Sequence, residues 1–231
     1  MRILFVAADK MEYSGLLPHA PGAHSTHLNL DWAREVRLGP HAALLTANGA
    51  GPARAAAAVD AACPAFHPDA VVSTGFCGAL DPAFPLAAIV VATSISAPDG
   101  DYPALPVLSP AAFCAGPIRS ILHVARTAEE KRILRESGAC AVEMEAAGVA
   151  ARAHQCGLPF YCIRAVTDLA DETLQNDFNK ALRPDGHFDT ISILASALRY
   201  PAVRLPELVR LRRRCVLASR ALGSFLANCK F

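Results

Sequence analysis

The chain has 231 residues, 53% of them hydrophobic, and a formal net charge of +1. That length suits one α/β domain with a sizeable core, and the near-neutral charge gives no electrostatic reason to expect nucleic acid as a partner. No apolar run approaches the ~20 residues of a membrane span, and Met1 leads into a strand-like run with no signal-peptide pattern, so the cytoplasm is the expected location.

Short apolar runs alternate with helical ones, an α/β pattern. Residues 3–7 and 42–46 read as strands. Gly51-Pro52 opens an alanine-rich helix to Cys63, proline being suited to a first helical turn. Residues 70–74 and 89–93 are β-branched and strand-like. Five prolines between 95 and 117 predict an irregular loop. Thr127 and Glu130 fit a capping box for a helix running to Gly138. A helix follows over 146–155, a strand over 160–165, and Asp189 caps a helix through Leu198. The segment after Pro206 reads as a long helix. Leu208, Leu211, Cys215, Ala218, Leu222 and Phe225 form one apolar stripe, with Arg210, Arg213, Arg214 and Arg220 largely off it. Residues 1–200 are therefore expected to form the catalytic domain, and 201–231 an amphipathic helical extension of it. The eight cysteines make no C-x-x-C pair and the eight histidines no metal-binding spacing. Reduced thiols, no metal and no cofactor are the expectation.

Two stretches concentrate the chemistry. Ala141–Glu145 (A-V-E-M-E) places Glu143, Met144 and Glu145 at a helix start, and Arg164–Asp168 (R-A-V-T-D) ends an apolar strand. Open α/β sheets bind ligands at the carboxyl ends of their strands. Singly these signals are weak: an acid pair at a helix start ordinarily serves the helix dipole, Asp168 alone reads as a cap, Gly49-Ala-Gly51 as a tight turn and Glu12 as a surface residue.

Taken in order, residues 3–12, Gly49–Pro52, Ser73–Ala79 and the two acidic stretches resemble the purine nucleoside phosphorylase / methylthioadenosine–adenosylhomocysteine nucleosidase superfamily. The resemblance covers roughly residues 1–180 and implies one α/β domain with a central mixed, twisted sheet flanked by helices. It assigns Asp168 to the purine and Glu145 to the ribose hydroxyls. Met144, Glu143, Gly75, Phe76, Gly49 and Thr167 join the substrate site. Chemistry agrees: Asp168 suits protonation at N7, an ionised Glu145 is an acceptor for two vicinal hydroxyls, and its charge stabilises an oxocarbenium ion. The early loop carries Lys10 and Glu12 where the phosphorylases of the superfamily carry a phosphate-binding arginine. Glu12 as water activator, with Arg164 positioning that water, favours hydrolysis, while phosphate stays open as the alternative nucleophile.

Departures refine the resemblance. Phe76 stands where a small polar residue is usual, residues 123–127 replace an aromatic segment, and the segment 95–117 is short. With the C-terminal addition, this combination is similar to the hopanoid-associated phosphorylase branch, whose implied substrate is adenosylhopane. The rivals are a methylthioadenosine/adenosylhomocysteine nucleosidase, a phosphate-dependent purine nucleoside phosphorylase and a non-catalytic nucleoside-binding scaffold. A nucleoside partner, a homodimer or larger assembly, and membrane-surface contact through the arginine-rich tail complete the expectations.

Overall fold

The apolar run at the N-terminus forms β1 (Arg2–Ala7), whose last five residues are wholly buried at the centre of the sheet. The computed structural model describes residues 1–231. After β1 come β2 (His24–Ser25), β3 (Trp32–Leu38), β4 (His41–Ala47) and α1 (Pro52–Phe66). Then follow β5 (Ala70–Ala79), β6 (Ile89–Ala97), β7 (Gly100–Pro103), β8 (Cys114–Ser120) and α2 (Ala128–Arg135). The chain ends with β9 (Ala141–Glu143), α3 (Ala146–Gln155), β10 (Phe160–Asp168), α4 (Thr190–Ala197) and α5 (Pro201–Ala227).

The sheet is mixed, as expected. β1 runs parallel to β4 and β5, and β5 parallel to β10. β10 and β6 are antiparallel, β6, β8 and β9 parallel, and β9 returns antiparallel to β5 at Gly78 and Ala79. These five strands close on themselves, so the carboxyl ends of β5 and β10 meet β9 and the start of α3. Closure strips β5 of a free edge and brings both acidic stretches to one end of the sheet.

Two apolar layers hold it. On one face α1 and α3 cover Leu4, Val6, Leu44, Val71 and Val90. On the other, the last turns of α5 place Ala218, Leu222, Phe225 and Leu226 against Ile3, Phe5, Leu45 and Ile163. The approach of α5 is close: a Cβ on Gly223 would lie 2.1 Å from the backbone of Gly15, so only glycine fits that crossing.

Several elements differ from the reading of the sequence. The 95–117 segment is not an irregular loop throughout. Pro98-Asp99 turns β6 into β7, which pairs Ser94 with Pro103 and Ala97 with Gly100. β8 accommodates Pro117 at a register shift between Ala92 and Ile95 of β6, where the missing N–H breaks the ladder. The last helix begins at Pro201 and carries Pro206 inside it. β2, β3 and β9 went unread, the first and last being only two and three residues long.

Candidate active site

A mostly apolar cavity of about 450 Å³ opens at the carboxyl ends of β5 and β10, within the range of small-molecule sites. Its polar floor is made by strand ends and its wall by the C-terminal helices. On the floor are Phe76, Glu143, Met144, Glu145, Thr167 and Asp168.

Glu12 lies just beneath. The turn after β1 folds back because Asp9 caps it, accepting from Met11 N at 2.7 Å. Glu12 Oε2 accepts from Ala8 N at 2.8 Å and Asp9 N at 3.0 Å, and Oε1 accepts from Phe76 N at 2.7 Å. Ala8 and Phe76 themselves line the cavity. Burial raises the Glu12 carboxyl above its ordinary value, against the lowering effect of these donors and of the Arg164 charge. Gly75 is required here. Its φ is +132°, and a Cβ would stand 2.3 Å from Glu12 Oε1.

Arg164 lies behind the floor, not in the cavity. Its side chain is fully buried and pairs with Glu143 Oε2, donating also to Thr74 O and to Ser73 Oγ at 2.8 Å. Its guanidinium contacts are to Glu143 and to Ser73 and Thr74 in the middle of β5, and its Nε is buried without a protein partner. Glu143 Oε2 also accepts from Glu145 N (2.9 Å) and Ala146 N (2.8 Å), fixing the first turn of α3. Its Oε1 is buried without a partner. Glu145 Oε1 accepts from Gly51 N at 3.0 Å. Burial, then the charge of Glu143, pushes the Glu145 carboxyl up to about 7. Gly49 stands outside the cavity, its N–H donating to Ala8 O at 2.9 Å and closing the turn that presents Gly51.

Asp168 ends β10. Its Oδ1 lies 3.1 Å from Thr167 Oγ1, and its Oδ2 accepts from Lys131 Nζ at 2.5 Å. The sequence reading missed Lys131, the one buried residue of α2. It also missed Phe178, Phe188 and Ile193, which line the cavity from the segment before α4 and from α4 itself. α5 completes the wall with Leu208, Leu211, Arg212 and Cys215. The apolar stripe of α5 therefore faces the cavity in its middle turns and the core in its last ones.

Comparison with known proteins bears on the family and the fold. The phosphorylase superfamily profile matches residues 33–127 and 112–185. A 5′-methylthioadenosine/S-adenosylhomocysteine nucleosidase of Staphylococcus saprophyticus is 30% identical over 165 residues, which are 58% of this chain and 72% of the relative. Among solved structures, an S-adenosylhomocysteine nucleosidase from Streptococcus pyogenes, in complex with 5-methylthiotubericidin, superposes with a TM-score of 0.67 at 20% identity, covering 92% of this chain and 96% of that one. A futalosine hydrolase mutant of Helicobacter pylori gives 0.69 at 16% identity, with 97% of both chains covered. The chain belongs to the phosphorylase superfamily. Within it, this protein is an N-ribosyl hydrolase or a nucleoside phosphorylase.

Proposed function

We propose that the protein cleaves the N-glycosidic bond of a 5′-substituted adenosine with water as nucleophile, releasing adenine. Asp168 is the acid at N7, Glu145 accepts from the ribose hydroxyls, Met144 packs on the sugar and Glu12 takes the proton of the attacking water. Gly75, Phe76 and Thr167 shape the base and sugar sites. Glu143 and Arg164 hold the floor in place, and Gly49 holds the turn that carries Gly51. The observation that carries hydrolysis is the state of the floor charges: the Arg164 guanidinium is committed to Glu143. Beneath Phe76 stands Glu12, a carboxyl that burial raises above its ordinary value and that is placed to act as a base.

The apolar wall of Phe178, Phe188, Ile193, Leu208 and Leu211 favours a bulky apolar 5′ group. The resemblance to the hopanoid-associated branch makes adenosylhopane the specific candidate. The outer side of the same wall supports delivery from an anionic membrane surface. Ile191 (80% exposed) on α4, Leu198 (66%) just after it and Val209 (53%) on α5 are accompanied by exposed Arg199, Arg210, Arg212, Arg213 and Arg220. A second copy on this face would set arginines against arginines, whereas anionic lipid complements them. No helix is long and apolar enough to cross a membrane. A cytoplasmic homodimer joined through another face fits this reading.

The test is adenine release from methylthioadenosine, adenosylhomocysteine, inosine and adenosylhopane, each with and without phosphate. Release without phosphate, with solvent oxygen-18 at C1′, is expected. A sugar 1-phosphate as sole product establishes the phosphorylase instead, and no release from any nucleoside establishes a scaffold. Flotation with phosphatidylglycerol but not phosphatidylcholine vesicles checks the membrane contact, and sedimentation counts the subunits.

A further inference from the structure

Lys131 has no part in the mechanism above, yet its placement is unusual. The other charges of α2 stay outside, Arg132 pairing with Glu129 and Glu136 at the surface. The Lys131 side chain is 0% exposed and its Nζ donates to Asp168 Oδ2 at 2.5 Å and to Leu169 O at 2.7 Å. An ammonium taken out of water costs several kcal/mol unless closely paired. α2 is itself held to the segment that follows Asp168, because Ala128 N donates to Thr173 Oγ1 at 3.0 Å. Lysine and aspartate therefore belong to one clamped unit.

We propose that Lys131 is the positioning residue of the acid: it fixes Oδ2 of Asp168, turns the other oxygen to the base, and stabilises the carboxylate left when Asp168 gives up its proton. This inference rests on the nucleoside reading. The proton that Asp168 delivers is drawn from solvent. As the C1′–N9 bond breaks, its electron pair goes to the purine, the Asp168 O–H breaks and N7–H forms. Water supplies OH to C1′ and its remaining proton to Glu12, which returns it to solvent. The products are neutral adenine, the free sugar and the restored Lys131–Asp168 ion pair. Thr167 Oγ1 lies 3.1 Å from Asp168 Oδ1 and 3.3 Å from Cys77 O. Its single hydroxyl proton serves one at a time, so Oδ1 is free for the base when the hydroxyl turns to Cys77.

The experiment compares two leaving groups on the whole protein. The best nucleoside of the panel above needs a proton on its base, and 4-nitrophenyl riboside, whose phenolate leaves unaided, does not. Lys131→Met is expected to lose at least about tenfold in kcat on the nucleoside, part of the 10²–10⁴ of a positioned acid, and to keep its rate on the nitrophenyl riboside. Lys131→Arg is expected to recover part of the loss, and it carries the test if the methionine variant does not fold. Equal losses on both substrates, or no loss on the nucleoside, overturn the proposal while the nucleosidase reading stands. A wild-type protein that releases no base overturns both.

Discussion

The floor and the wall of the cavity are built on opposite principles. On the floor each acidic side chain is tied down: Glu12 by three backbone N–H groups, Glu143 by Arg164 and two more, Glu145 by Gly51 and Asp168 by Lys131. Arg164, Phe76 and Lys131 lie within β10, β5 and α2, and Gly51 caps α1, so most of these partners belong to regular elements and the reacting geometry is set before substrate arrives. The wall presents apolar side chains from α4, α5 and the segment before them. It is moored by a few polar contacts, chiefly buried Glu207, which accepts from Gln175 N and Asn176 N at 2.8 Å each, and Glu172, which pairs with Arg210 and Arg214. The chemistry is thereby separated from the choice of 5′ substituent: one region can vary while the other stays intact.

Breaking the floor should be costly. The largest effect is expected from Asp168→Asn, a fall in adenine release on the order of 10²–10⁴ with the fold retained, since a positioned acid supplies that much. Turnover near that of the wild type would remove Asp168 from the mechanism. Next comes Arg164→Met, which leaves Glu143 buried beside no cation and should cost about 3–5 kcal/mol of stability in urea unfolding. A loss below ~1 kcal/mol, the scale of an exposed pair, would show that the floor does not depend on that ion pair.

Altering the wall should sharpen the contrast. Leu211→Ala removes apolar surface facing the cavity. On a long-alkyl 5′ substrate kcat/KM should drop by about tenfold or somewhat more, since burying a leucine is worth roughly 1.5–3 kcal/mol. Methylthioadenosine turnover should barely change, and a parallel loss on both would erase the division between floor and wall.

The smallest effect is in pH. Glu145 is raised from its ordinary 4.5 to about 7 by burial and by Glu143. Ionised, it accepts from both hydroxyls of the diol, whereas the acid form has one oxygen tied up as a donor, so the preference for ribo- over 2′-deoxynucleosides should grow a few-fold as pH rises through that value. Its effect on folding has the opposite sign. The folded chain keeps a proton there that the unfolded chain has released, so this stabilisation is complete below 4.5 and is lost as pH rises through about 7. Urea titrations of the wild type and Glu145→Gln should converge at acid pH and separate, with the wild type the less stable, at alkaline pH.

Motif order alone pointed to Asp168, Glu145, Met144 and Glu12, which the structure gathers in and beneath one cavity, because each sits next to a strand or helix end whose pattern is local. The tight turn at Gly49–Gly51 was readable for the same reason. What the chain could not announce is which distant groups meet these residues. Lys131 looks like any helical lysine in sequence, and only the packing of α2 against the end of β10 turns it inward onto Asp168. Arg164 reads in sequence as a residue near the end of a strand, and only the tertiary structure shows that it is paired with Glu143. β9 has three residues, too few for a period, and owes its existence to partners in β5 and β8. The single apolar stripe of α5 was plain in the sequence, but its division between cavity wall and core depends on where the helix crosses Gly15. Local periodicity and turn chemistry are properties of neighbouring residues and are written along the chain. The partners of a buried charge and the two ends of a stripe are long-range contacts, and only the packing of helices on the closed sheet decides them.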